Sequence, residues 1–183
     1  VLVEGESGVV KSTLMRAFVA ALPAEVLVLA GRCYERESVP FKAVDGVIDA
    51  LSHHLEELGD AEVAALAPPD AARLAQAFPV LARLSRSAGE PVAIRDPHEI
   101  RRVVFATLRE LLTRLARARP VVIAIDDVQR ADADSLALLA EVLRGPVAPS
   151  LLLVATVRTG GGRPADELAA GLPGPVRVLP VPR

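Results

Sequence analysis

The chain has 183 residues, 51% of them hydrophobic and only 3% aromatic, and its 21 basic and 23 acidic side chains give a net charge of −2. That length suits one domain able to bury roughly 70% of its unfolded surface, with a core of Ala, Leu and Val rather than rings, and so favours helices packed on a parallel sheet. The balanced charge implies no polyanion-binding surface, the lone Cys33 excludes an internal disulfide and fits a reducing, cytoplasmic setting, and apolar runs of no more than strand length lead us to expect no secretion signal and no membrane span.

Val1 to Glu4 reads as a short strand, and Lys11 to Leu22 as a helix in which Leu14, Phe18 and Leu22 recur every four residues before Pro23 stops it. Glu25 to Ala30 reads as a second strand and Gly31 to Pro40 as a polar loop. Phe41 to Leu58 carries Val44, Val47, Ile48, Leu51, Leu55 and Leu58 on one helical stripe ended by Gly59. The Ala- and Pro-rich residues 60–95 show short helical patches around Ala61 to Leu66 and Ala71 to Phe78, and read as a small helical insertion.

Asp96, Pro97 and Glu99 have the spacing of an N-cap, an N1 proline and an N3 glutamate, and open a long helix to about Arg117 striped by Ile100, Val103, Val104, Leu108, Leu111, Leu112 and Leu115. Pro120 breaks it. Val121 to Ile125 is then a continuous run of the kind buried on both faces of a sheet, ended by Asp126 and Asp127. A helix from about Ala133 to Arg144, a second apolar run from Leu151 to Val157 closed by Arg158, a glycine loop at Gly160 to Gly162, a short helix near Ala165 to Ala170 and a strand at Val176 to Leu179 complete the order. The start on a strand without an initiator methionine and the strand-like VRVLPVPR at the other end lead us to expect a single domain over 1–183, cut from a longer polypeptide at both ends.

Between the first strand and the first helix lies GESGVVKST. The phosphate-binding loop pattern is G-x-x-x-x-G-K-[ST], and Gly5, Lys11 and Ser12 fall in register with it, while Val10 stands at the second glycine and Gly8 adds a flexible point. Such a loop turns backbone N–H groups of residues such as Glu6, Ser7, Gly8, Val9, Val10 and Thr13 toward a polyphosphate at the positive end of a helix dipole. Lys11 would reach the terminal phosphates, and the Ser12 hydroxyl would ligate Mg²⁺. An apolar strand ending in acid supplies the second metal contact, so Asp126 fits the metal, Asp127 a general base for water, and Arg158, ending the next apolar strand, a sensor of γ-phosphate charge.

His53 and His54, adjacent on a helix, point to different faces and read as surface residues rather than a metal pair. Arg101, Arg102, Arg109, Arg114, Arg117 and Arg119 alternate with the apolar stripe of the long helix and read as its solvated face.

With these motifs the chain resembles the AAA-type ATPase domain of STAND signalling NTPases and of large bacterial multidomain regulators. The resemblance rests on GESGVVKSTL against the family's GESGVGKSTL, on GRCYERESVPF, on VVIAIDDVQRADADSLALL and on LLLVATVR. It implies a three-layer α/β P-loop sheet of the ASCE type, with the strand ending at Arg158 inserted between the phosphate-loop strand and the strand ending at Asp126. It implies ATP and Mg²⁺, slow hydrolysis acting as a switch, and partners among other domains of the same polypeptide: a protein kinase, helical repeats or a DNA-binding module. A homo-oligomer is left open, and the net charge and short apolar runs lead us to expect no membrane or direct nucleic-acid contact by this segment.

The loop Glu35, Arg36 and Glu37 matches a family motif, and Arg130 stands where the family has an aromatic residue. Val10 is the larger departure. A β-branched side chain forced into a glycine-only backbone state costs on the order of 1–3 kcal/mol. The alternative expectation is therefore a scaffold that keeps the fold without nucleotide.

Overall fold

The computed structural model describes residues 1–6, 10–34, 41–86, 93–145, 148–160 and 162–182. Its strands are β1 (Leu2–Gly5), β2 (Leu27–Arg32), β3 (Val121–Asp126), β4 (Leu151–Arg158) and β5 (Val178–Pro180). All pair in parallel, in the order β2-β3-β4-β1-β5. The β-branched run of β3 is buried along its whole length, as expected of a strand covered on both faces. The strand ending at Arg158 does lie between the first strand and the strand ending at Asp126.

Parallel strands need crossovers, and helices supply them. They are α1 (Val10–Ala20), α2 (Lys42–Glu57), α3 (Asp60–Leu66), α4 (Ala71–Ala77), α5 (Ala82–Ser85), α6 (Pro97–Ala118), α7 (Ala133–Val142) and α8 (Ala165–Gly171), with 3₁₀ turns at Pro79–Leu81 and Val128–Arg130. Strand side chains alternate between two cores. Leu27, Leu29, Ile123, Ile125 and Val157 face a large cluster built with α2, α4, α6, α7 and α8, whereas Val3, Val122, Ala124 and Val154 meet Met15 of α1.

The periodicity of α1 is where expectation and structure part. Leu14 and Phe18 are exposed, whereas Lys11 and Met15 are buried and Val19 and Leu22 half-buried. The loop sets this rotation. The Lys11 ammonium turns inward to donate to the Glu6 carbonyl, and the positions one, two and three turns further along follow it onto the sheet.

Residues 60–86 are helical, as expected, but they do not stand apart from the core. Val63, Ala71, Leu74, Leu81 and Leu84 are buried in the same cluster as Leu108, Leu111 and Leu115 of α6. Three of the four phenylalanines meet here: Phe41 packs edge-on against Phe78 and Phe105, each with a 5.7 Å centroid separation. Phe41 is the N-cap of α2 with φ 68°, a left-handed state that a bulky residue holds only when its surroundings fix it.

Asp132 provides part of that fixing. It caps α7 by accepting from Ser135 N–H at 2.8 Å, and it also accepts from Phe41 N–H at 3.3 Å at the head of α2. Burial pushes its carboxyl up, but the hydrogen bonds from Ser135, Phe41 and Ala43 outweigh this and hold it below the usual carboxylate range.

Asp96 caps α6 as expected, accepting from His98 N–H at 3.0 Å. The arginines of α6 are more than a solvated face. Arg101 pairs with Asp134, Arg109 lies 3.3 Å from Glu141, Arg114 donates to Ala67 C=O at 2.6 Å, and Arg119 donates to Glu25 C=O at 2.9 Å. They fasten α6 to α7, to the end of α3 and to the entrance of β2, while Arg102 and Arg117 remain exposed.

His54 is likewise not a surface residue, at 8% exposure. Burial, reinforced by the positive charge of Arg119, lowers its pKa below the ordinary value. An unfolded chain then binds a proton here that the folded one refuses. Stability should therefore fall as pH drops below 6.5, the ordinary histidine value, and His54→Leu should flatten that slope in urea melts run across a series of pH values. Asp132→Ala removes the α7 cap and the Phe41 contact together, and should lower the unfolding free energy by about 1–2 kcal/mol in the same melts.

Candidate functional site

The parallel register brings the carboxyl ends of three strands to one edge. Gly5 at the end of β1 lies opposite Arg158 at the end of β4, and Ile125 of β3 lies opposite Ala155. Strands β1 and β3 are not neighbours. With β4 between them they stand about 9.5 Å apart, so a side chain from the β1–α1 connection must reach across the top of β4 to meet the acid of β3.

Ser12, in the first turn of α1, makes that reach. Its Oγ lies 2.9 Å from both Oδ1 and Oδ2 of Asp126. Seven residues earlier the chain is confined at Gly5, where a Cβ would come 3.1 Å from the Val181 carbonyl oxygen and 3.5 Å from Lys11 Cδ. Lys11 is buried, Glu6 and Thr13 are exposed, and Ser7, Gly8 and Val9 lie outside the described residues, as do Glu35, Arg36 and Glu37.

Val10 is the first residue of α1 and is 59% exposed. The described non-glycine residues with positive φ are Phe41 and Asp127. The glycine-only backbone state expected at position 10 is thus absent from this conformation, because the helix begins at Val10 itself and places it in helical φ/ψ, with the side chain turned outward.

Asp126 and Asp127 are both buried, and Thr156 of β4 orders them. This threonine, at 0% exposure, donates its hydroxyl proton to Asp126 Oδ1 at 2.5 Å and accepts from the Asp127 N–H at 2.9 Å. It has one proton to give and lone pairs to receive, and both are used. Asp127 adopts φ 59°, ψ 41°, which ends the strand and starts the 3₁₀ turn. Its carboxylate accepts from Gln129 Nε2 at 3.2 Å and from Arg32 at 3.3 Å, and Arg32 Nε lies 3.7 Å from Asp126.

Ser12, Asp126 and Asp127 therefore form one hydrogen-bonded set. Arg158 joins it through its backbone N–H, which donates to Gln129 Oε1 at 3.1 Å, and Lys11 adjoins it as the neighbour of Ser12. Cys33, whose N–H donates to the Asp126 carbonyl at 2.9 Å, has its thiol pushed up to about 12 by burial and by the negative charges of Asp127, Asp132 and Asp126. A thiol held protonated is neither a nucleophile nor a metal ligand at neutral pH.

Three contributors were not found from sequence: Thr156, Gln129 and Arg32. Thr156 had a signal, being the one polar side chain inside the otherwise apolar run from Leu151 to Val157. Gln129 and Arg32 had none, since their partners lie across the sheet or around a turn.

The set offers hydroxyl and carboxylate oxygens, the donors that suit a hard divalent cation. Among the described residues no group of three or more His, Cys, Asp or Glu is arranged to hold a metal, so such an ion would also need oxygens from a ligand. Among the described residues, too, no helix is long and apolar enough to cross a membrane.

Among curated proteins, none matches the chain. The family model for the AAA ATPase domain matches residues 1–154, from β1 through Asp126 and Asp127 into β4, with Thr156 and Arg158 just beyond its end. With that match over most of the length, and with a five-stranded parallel sheet flanked by helices carrying the phosphate-loop sequence, the chain belongs to the AAA ATPase domain family, a family of nucleotide-binding P-loop modules.

Proposed function

We propose that the chain binds Mg·ATP at the edge formed by β1, β3 and β4, hydrolyses it slowly, and acts as a nucleotide-dependent switch within a larger signalling or transcription-regulatory protein. The observation that carries this reading is the contact of Ser12 Oγ with the Asp126 carboxylate at 2.9 Å. A hydroxyl and a carboxylate that face each other at this distance are the two protein oxygens a phosphate-bound Mg²⁺ requires, and they fit that ion. When bound, Mg²⁺ neutralises charge on the β- and γ-phosphates.

The protein groups have separable tasks. The N–H groups at the start of α1 and its dipole attract the phosphates. Lys11 leaves the Glu6 carbonyl to meet them, a short movement for a side chain already directed at the loop. Asp127 orients and deprotonates the attacking water. Both of its oxygens already accept a hydrogen bond, one from Gln129 and one from Arg32, so water must compete for a place, which suits slow turnover. Arg158 answers to the γ-phosphate and passes its presence along β4. The resemblance to AAA-type domains of multidomain regulators supports the switch and the other domains of the polypeptide as its audience.

Lys11→Ala should weaken Mg·ATP binding by roughly tenfold to a hundredfold in calorimetric titration, the loss of one charge-assisted contact. Asp127→Asn should leave that affinity within about threefold while lowering the turnover number by about 10²–10⁴ in a phosphate-release assay.

The second reading, a scaffold without nucleotide, draws on Val10 in place of glycine. Titration of Val10→Gly separates the two: binding restored from none supports the scaffold, and comparable binding in both proteins supports the switch. No binding in either protein sinks the nucleotide reading.

A further inference from the structure

Gln129 is 4% exposed, and its amide bridges Asp127 and the Arg158 backbone. Its Nε2 lies 3.2 Å from Asp127 Oδ1, and its Oε1 lies 3.1 Å from the Arg158 backbone nitrogen. The neighbours fix which end is which. A backbone N–H can face only the amide oxygen, and a carboxylate only the amide nitrogen, so the orientation leaves no freedom for a flip.

The main chain of Gln129 is held as well. The loop after β4 passes directly over it at Gly162, which has φ 83°, and a Cβ there would stand 2.7 Å from the Gln129 carbonyl oxygen and 3.2 Å from its Cγ. Glycine is needed at that point both for its backbone state and for the closeness of approach. The end of β4 thus meets the acid pair twice: through the Thr156 hydroxyl inside the strand, and through Arg158 N–H at its tip, where Gln129 is the intermediary.

We propose that Gln129 is a positioning residue that ties the Asp127 carboxylate to the tip of β4, so that displacement of Arg158 and orientation of Asp127 are one coupled event. This rests on the reading of Asp127 as the base in ATP hydrolysis. The coupling links the sensor to the base through one side chain. A γ-phosphate that draws Arg158 moves the N–H held by Gln129 Oε1, and the same amide then re-aims Asp127 toward or away from water. Arg32, on the opposite side of Asp127, pairs with it independently of β4.

Two substitutions separate the arms of the amide. Gln129→Glu keeps an acceptor for Arg158 N–H but replaces the donor to Asp127 with an oxygen, whereas Gln129→Met keeps the length and removes both. Mg·ATP affinity, phosphate release and hydrogen exchange at the Arg158 amide are measured in the full chain.

Both variants should bind Mg·ATP within about threefold of the parent while the turnover number falls at least about tenfold. Exchange at Arg158 should accelerate by about tenfold or more in Gln129→Met and stay near the parent rate in Gln129→Glu. Gly162→Ala, which lifts the loop from Gln129, should also lower turnover without loss of affinity, and it decides the matter if Gln129→Met does not fold.

Turnover near the parent value in all three variants overturns the proposal, as does affinity that falls in step with turnover. Equal Arg158 exchange in the parent and in Gln129→Met overturns it too, and this readout needs no hydrolysis. A parent protein that binds Mg·ATP without any turnover removes the base role of Asp127 instead, and is distinguished by being independent of the substitutions.

Discussion

The hydrogen bond between the Ser12 hydroxyl and the Asp126 carboxylate holds the head of α1 against the carboxyl edge of the sheet. It joins the first turn of α1 to the end of β3 across the intervening β4, whose tip at Arg158 lies level with Gly5 of β1. Burying a carboxylate at a strand end is costly unless its oxygens are satisfied, and Ser12, Thr156 and the nearby Arg32 satisfy those of Asp126.

The same economy runs through the neighbouring residues. Thr156 is small enough to sit beneath the Ser12–Asp126 contact and polar enough to order both acids; a valine of the same shape would leave the Asp127 N–H without its acceptor. Lys11 fixes the rotation of α1 at the cost of exposing Leu14 and Phe18, so here the demands of the loop prevail over hydrophobic periodicity. Asp132 links the heads of α7 and α2 and thereby ties the acid-bearing turn to the helix flanking β2. Position in this fold is set largely by capping and by buried polar contacts, on a core that is otherwise generic aliphatic packing.

Much of this was legible in the sequence, for a physical reason. Buried parallel strands read as continuous apolar runs, and helix caps read as short polar signatures, so VVIAI, LLLVATVR and the Asp96–Pro97 start declared themselves from local chemistry alone. The helical stretch at residues 60–86 was visible too, although nothing local showed that Leu74 and Leu84 complete the main core.

What stayed hidden depends on partners distant in sequence. His54 is buried by packing that no spacing rule encodes, and the α6 arginines find acceptors on α7, on the end of α3 and before β2. Gln129 takes its meaning from Asp127 around a left-handed turn and from Arg158 across the sheet. The strain expected at Val10 followed from aligning it with a glycine, whereas the chain starts its helix there.

The proposed function requires Ser12 and Asp126 to share one cation held against a polyphosphate. A double-substitution cycle of Ser12→Ala and Asp126→Asn on ATP affinity, with and without Mg²⁺, tests it most directly. Mg²⁺ should tighten ATP binding to the parent by at least about tenfold, either substitution should abolish this gain, and the double substitution should cost no more than the larger single one. Additive losses, or an affinity for ATP that is indifferent to Mg²⁺ in the parent, would contradict it.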